Sequence, residues 1–177
     1  MSFLKKIKKM FFTFGKEDPL FKQICFNFLL LFIPPMYFYP FRVLRNLIFK
    51  FQGIKLIISQ VFIKQGCVFD FPQNISLGKN VFINRNVILE GKGKIKICND
   101  VQIGPNTIFL TTSHDITRNH KAICKNITID NNTWIGASVT IVPGITIGPN
   151  VIVGAGSVVT KNFSNCKIVG NPAKIIN

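Results

Sequence analysis

Acidic side chains are scarce in this chain: seven Asp and Glu stand against 22 Lys and Arg in 177 residues, a formal charge of +15. A surplus of that size points to anionic partners such as nucleic acid, lipid headgroups or phosphorylated small molecules. No nucleic-acid motif accompanies the charge. Histidine is almost absent, with only His114 and His120 and no paired carboxylates beside them. A hydrolytic metal centre needs three protein ligands and an open position, so none is expected. Cys25, Cys67, Cys98, Cys124 and Cys166 form no C-x-x-C pair and keep no regular spacing, which indicates neither a zinc site nor a disulfide framework and fits reduced thiols in the cytoplasm. No secretory leader is expected: "KKIKK" is followed only by "MFFTFG" before Lys16, Glu17 and Asp18, with no small-residue cleavage site. The uncharged stretch 23–41 is long enough to raise a transmembrane span, but Pro34, Pro35 and Pro40 break it, which favours an interfacial or packed element.

What the chain does have is unevenly distributed. Residues 1–56 carry ten Lys and Arg, two acids and twelve of the eighteen phenylalanines. Basic and aromatic-apolar composition together describe a short helical segment that lies on a membrane surface or covers the end of the main domain. At 177 residues there is room for one further domain, 57–177.

That domain keeps time. Apolar residues recur at Phe71, Leu77, Ile83 and Leu89, then at Ile97 and Ile103, and after a gap at Ile129, Ile135, Ile141, Ile147 and Val153. The period is six, with two extra residues between Leu89 and Ile97. Three positions after these anchors stand Asn74, Asn80, Asn86, Lys92, Asp100, Asn106, Asn132, Ser138, Gly144, Asn150 and Gly156. Nearly all are Asn, Asp or Gly, the residues that tolerate a left-handed backbone. The next position is small or β-branched (Val81, Val87, Val101, Thr107, Thr133, Val139, Ile145, Val151, Ser157), as a crowded inward corner requires. A turn every six residues excludes a helix bundle or a sandwich. Three units close one coil, and stacked coils about 4.8 Å apart satisfy one another's backbone, which predicts an all-β main domain, a parallel β-helix of five to six coils. The gap is an inserted loop, 111–126, within "FLTTSHDITRNHKAICKN", and it holds both histidines.

The stretch "ITIDNNTWIGASVTIVPGITIGPNVIVGAGSVVTKNFSNCKIVGNPAKII" resembles the C-terminal signature of the hexapeptide-repeat acyltransferases, and the resemblance covers residues 57–176. It implies a left-handed β-helix, a hand that general crossover preferences would not give. "ISQVFIKQGCVFDFPQNISLGKNVFI" and "TTSHDI" look most like the acetyltransferases of capsule and exopolysaccharide clusters, with galactoside and maltose acetyltransferases as more distant relatives.

The resemblance implies an O-acetyltransferase that moves an acetyl group from acetyl coenzyme A to a sugar hydroxyl in surface polysaccharide biosynthesis. His114 in "TTSHD" matches the family's catalytic general base. Asn84 in "FINRN", with Asp115 beside the histidine, falls on the acceptor side, although the relatives' acidic contact is replaced by Gly91 and Lys92. The Ala137 amide maps onto the oxyanion donor. Trp134, Gly136, Ala137, Gly154, Ala155, Thr160, Lys161 and Lys174 map onto the coenzyme A site, and Gly156 adds to its close backbone approach. His120 matches nothing in the family pattern and reads as surface loop or as a contact to the acceptor. The resemblance further implies a homotrimer with active sites between subunits and a saccharide acceptor. A cytoplasmic enzyme without a metal is expected, with residues 1–56 either at the inner face of the membrane or capping the β-helix. An N-acetyltransferase on an amino sugar and a non-catalytic β-helix scaffold remain as alternatives; the first lacks its usual N-terminal nucleotide-binding domain, and the second predicts no coenzyme A binding. Serine acetyltransferase fits less well, because its long helical N-terminal domain is replaced here by a short Phe-rich segment.

Overall fold

The computed structural model describes residues 39–117 and 119–176. The basic Phe-rich stretch 1–38, with Cys25 and most of the interrupted apolar run, lies outside the described residues. Within them, no helix is long and apolar enough to cross a membrane.

The chain winds through three parallel sheets in a fixed order. The first face is built from Phe62–Ile63, Phe82–Ile83, Gln102–Ile103, Trp134–Ile135, Ile152–Val153 and Lys167–Val169, and Lys174–Ile176 adds antiparallel at its edge. The second is Val68–Asp70, Ile88–Glu90, Ile108–Phe109, Thr140–Ile141 and Val158–Val159. The third is Ile75–Leu77, Ile95–Ile97, Ile127–Ile129 and Thr146–Ile147. Each pass through first, second and third face is one coil of a parallel β-helix, and each coil pairs in register with the next: Phe82 with Gln102, Ile88 with Ile108, Lys96 with Thr128.

The strands are two or three residues long, so alternation leaves one or two inward positions per strand. Ile83, Leu89, Ile127, Ile129, Ile135 and Ile141 are fully buried there. Left-handed φ angles occur at Asn80, Asn86, Asp100, Asn106, Asn132, Ser138, Gly144, Asn150 and Gly156, and each is followed by a buried small or β-branched residue, as the repeat predicts. Where that corner residue carries a hydroxyl, a carbonyl accepts from it: Thr107 Oγ1 donates to Gly136 O (3.0 Å), Thr133 Oγ1 to Gly148 O (3.1 Å) and Ser157 Oγ to Gly154 O (2.6 Å). Burial of these polar atoms is thereby offset. Asparagine ladders run outside the corners, Asn132 to Asn150 to Asn165.

The opening of the series differs from the sequence reading. Phe71 is not an inward anchor: it is 39% exposed with φ 49°, while Phe69 points into the core. The cause is a 3-10 turn, Pro72–Asn74, that lengthens the corner between second and third faces; Gly91–Gly93 does the same one coil later. Left-handed backbone accordingly falls on Phe71 and Lys94, not on Asn74 and Lys92.

Helix α1 (Tyr39–Phe51) packs on the first coil. Phe49 meets Phe69 edge to face with centroids 4.9 Å apart, and Asn46 Nδ2 donates to the carbonyls of Ile58 and Val61, both at 2.7 Å. Arg45 Nη2 donates to Lys64 O (3.1 Å), and burial lowers its guanidinium pKa from the ordinary value. Covering the first coil in this way satisfies carbonyls that no preceding coil can reach.

Candidate active site

Chain entry into the inserted loop is gripped by Glu90. After Phe109 the chain turns at the corner between the second and third faces. There Glu90 Oε2 accepts from the amides of Thr111 (3.0 Å) and Thr112 (3.2 Å), Glu90 Oε1 takes a short hydrogen bond from the Thr112 hydroxyl, and Thr111 Oγ1 donates to Glu90 O (2.6 Å). From this anchor the predicted loop rises as an antiparallel hairpin, Thr112–Asp115 against Lys121–Cys124, with His114 opposite Ala122. Asp115 Oδ1 accepts from the amide (2.9 Å) and hydroxyl (2.6 Å) of Thr117, which turns the tip.

His114 is exposed, and its Nδ1 lies 2.9 Å from the main-chain carbonyl of His120. A carbonyl only accepts, so Nδ1 carries the proton and Nε2 is the basic nitrogen of the neutral ring. Asn119 (φ 52°) and His120 (φ 55°) are both left-handed, which aims the His120 carbonyl back across the hairpin. The His120 side chain is exposed at this tip, and its contribution to the geometry is its backbone.

A second set of residues lines the corner between the first and second faces. Asn84, Gly104, Gly136 and Gly154 stack there in successive coils, joined through the ladder Asn84 N to Ile103 O, Gly104 N to Ile135 O and Gly136 N to Val153 O. At the glycines the coils are too close for side chains: a Cβ on Gly104 would stand 2.6 Å from Ala137 N, and one on Gly136 would stand 2.7 Å from Ala155 N. Among the described residues no acceptor is bonded to the Ala137 amide, although Ala137 O accepts from Gly156 N (2.8 Å). Trp134 stands on the outer side of the first face at this same corner, 56% exposed. Below Asn84, the Cys67 thiol donates to the Asn84 carbonyl (3.0 Å), and burial pushes its pKa up to about 11, so it stays protonated near neutrality.

Thr160 and Lys161 are exposed on the hairpin's corner, two coils beyond Thr111 in the C-terminal direction. Lys174 lies opposite Val169 on the first face. Apart from Lys174, the residues singled out by sequence therefore fall into two groups. His114, Asp115, Thr160 and Lys161 share the corner between second and third faces; Asn84, Trp134, Gly136, Ala137, Gly154 and Ala155 share the corner between first and second. The whole width of the second face separates them within one chain.

Three contributors escaped the sequence reading. Glu90 anchors the hairpin, the His120 carbonyl fixes the His114 ring, and Gly104 lets the Ala137 amide be approached. Gly104 was open to detection, since a glycine follows the first-face strand in "VQIGPN", "TWIGAS" and "VIVGAG" alike.

The model for the bacterial transferase hexapeptide (six repeats) matches residues 126–161. The chain is 37% identical over 116 residues to the galactoside O-acetyltransferase of Escherichia coli K12, covering 61% of this chain and 56% of that protein. Over the solved structures the likeness is longer: the maltose O-acetyltransferase of Clostridium difficile 630 superposes with a TM-score of 0.77 at 33% identity, across 92% of this chain and 88% of the other. The chain belongs to the hexapeptide-repeat acetyltransferase family. With membership comes the left-handed winding of its β-helix. A hexapeptide-repeat acetyltransferase of Vibrio cholerae O1 biovar eltor, solved with acetyl coenzyme A, superposes at a TM-score of 0.73 and 29% identity over 92% of this chain and 90% of that one. The chain matches little more than half the length of its curated relatives.

Proposed function

We propose that the protein is an O-acetyltransferase that transfers the acetyl group of acetyl coenzyme A to a sugar hydroxyl, in a site assembled from two copies of the chain. The observation that carries this reading is the contact of His114 Nδ1 with the His120 carbonyl: an imidazole held through Nδ1 by a carbonyl presents a free Nε2, the form a general base needs.

The residues fit the co-substrate. Acetyl coenzyme A supplies an acyl group activated as a thioester. The crowded glycine corner and the exposed Trp134 give its pantetheine arm a surface free of intervening side chains. Lys161, Lys174 and Thr160 offer charge and hydrogen bonds to its phosphates. The Ala137 amide supplies a donor for the carbonyl oxygen on which charge develops. His114 takes the proton from the acceptor hydroxyl at Nε2, Asn84 orients that hydroxyl, and Asp115 closes the acceptor side from the hairpin.

Assembly of these roles needs a neighbour. Two corners separated by a whole face come together when one chain's hairpin corner meets the glycine corner of the next, an arrangement that closes as a ring of three. The outer side of the second face supports this: Val68, Ile88, Ile108, Thr140 and Val158 form a stripe without a charge, while the third face presents Lys96. Facing that stripe to the three-fold axis sets both corners at subunit boundaries. Polysaccharide biosynthesis at the inner face of the membrane is the context we infer, from the basic Phe-rich composition of residues 1–56 ahead of the 57–177 domain.

The test is a coenzyme A thermal shift on the full chain followed by acetyl transfer to a panel of oligosaccharides, with mass spectrometry locating one acetyl ester. Acetylation of an amino sugar nitrogen, or no coenzyme A binding, would overturn the reading.

A further inference from the structure

The third face and the base of the hairpin enclose an open groove into which Lys55, Lys94, Lys96 and Lys125 project, all four exposed. Its lining includes no Asp or Glu, and among the described residues none of these lysines forms an ion pair. In a chain with five acids after residue 56, carboxylates were available in sequence and are placed elsewhere. Asp130 belongs to the neighbouring groove over the other edge of the face, together with Lys55 and Lys96.

Position relates this groove to the proposed chemistry. Cys124, which pairs with Thr112 on the hairpin that carries His114, lines its upper part. From there the groove runs toward the N-terminal coils, past Lys96 to Lys55, whose backbone bridges to Ser76 in the first coil. Thr160 and Lys161 lie in the opposite direction along the axis, so coenzyme A phosphates held there leave these lysines unused. The groove spans the Lys55 bridge and three successive strands of the third face, about 14 Å at the strand spacing. That length suits a short saccharide chain better than one ring. The lysines occupy three of these levels, Lys55 two below Lys94 and Lys96, and Lys125 one above, a spread that suits a chain bearing repeated charge better than one small anion. Lys94 also holds φ 78°, a conformation L side chains rarely adopt.

We propose that the groove binds the carboxylates of an anionic saccharide chain, the acceptor whose hydroxyl reaches His114. This rests on the O-acetyltransferase reading and adds to it the substrate class: a polymer or oligomer with acidic sugars. Lysines suit the role because each is a mobile point charge, able to follow carboxylates whose spacing varies along a flexible chain.

The experiment uses the full chain and two probes of equal length, hexagalacturonate and maltohexaose, with the triple variant K94Q/K96Q/K125Q. The expected result is binding of hexagalacturonate that weakens steeply with salt, little binding of maltohexaose, and a loss of roughly tenfold or more in the variant, with coenzyme A affinity unchanged. Equal binding of both probes, or a variant that binds hexagalacturonate like the parent, overturns the proposal while leaving acyl transfer standing. If the substitutions instead abolish binding to phosphatidylglycerol vesicles and leave hexagalacturonate binding intact, the groove is a lipid-docking surface and the proposal fails. Hexagalacturonate binding through the lysines in a chain that does not bind coenzyme A removes the acyl-transfer reading and the acceptor role with it.

Discussion

The Nδ1 nitrogen of His114 lies 2.9 Å from the carbonyl oxygen of His120, and the two residues face each other because His120 sits at the hairpin tip with φ 55°. The contact assigns the ring proton to Nδ1. It also gives the two histidines unequal parts in the hairpin: His114 is held through its ring, and His120 contributes its backbone carbonyl.

Substitutions at the two positions separate those parts. His114→Ala lowers turnover by roughly a hundred- to ten-thousand-fold, the usual worth of a general base, while coenzyme A binding persists. His120→Asn keeps activity within a few fold, because asparagine accepts the left-handed backbone that aims the carbonyl. His120→Val, β-branched and disfavoured there by about 1–2 kcal/mol, displaces the carbonyl and lowers kcat. Equal loss in both His120 variants would assign the ring itself a role.

Glu90 is a positioning residue, and its signature is a split between kinetic constants. Glu90→Ala leaves the Thr111 and Thr112 amides without their acceptor, at about 1–3 kcal/mol each, and loosens the hairpin base. The expected outcome is a kcat lower by on the order of a hundredfold with unchanged coenzyme A affinity. Glu90→Gln restores most of it, since one amide oxygen can still receive both N–H groups.

Ala137→Pro removes one N–H and little else. Pro105 already occupies the equivalent corner position one coil earlier, so the backbone tolerates the ring. A loss of roughly 10²–10³ in kcat with an unshifted melting temperature is expected of an oxyanion donor. Wild-type turnover in this variant would remove the amide from the mechanism.

Asn46 tests the cap on the first coil. Asn46→Ala withdraws two 2.7 Å hydrogen bonds from the Ile58 and Val61 carbonyls inside a buried contact. Stability falls by about 1–3 kcal/mol, read as a lower melting temperature, while turnover at room temperature is retained.

The β-helix was legible because its signal is local and repeated. Each coil asks for a left-handed residue followed by a small inward one, and Asn80–Val81, Asn106–Thr107 and Asn150–Val151 answer in adjacent letters. Phe71 misled the count because two residues inserted at a corner shift the phase without altering the apolar pattern; Phe69 and Phe71 read alike until Pro72–Asn74 is seen to turn. At the site, side chains that act directly could be proposed from motif resemblance. Glu90 could not, since its partners are backbone amides twenty-one and twenty-two residues away. The His120 carbonyl is equally silent in sequence, because every residue has one. Neither could the division between two corners be seen, which depends on which face each strand enters.

That division is the centre of the account, and mixed assemblies test it most directly. His114→Ala and Ala137→Pro are each expected to abolish acetyl transfer alone, the first at the hairpin corner and the second at the glycine corner. Co-expressed in equal amounts and purified together, they form boundaries that pair an intact hairpin corner with an intact glycine corner in about a quarter of cases for a random ring. The account predicts recovery of acetyl transfer to about a quarter of the wild-type rate in the mixed assembly, and none when the separately purified variants are combined without exchange. A mixed assembly as inactive as either variant would contradict it, and would return the whole site to a single chain.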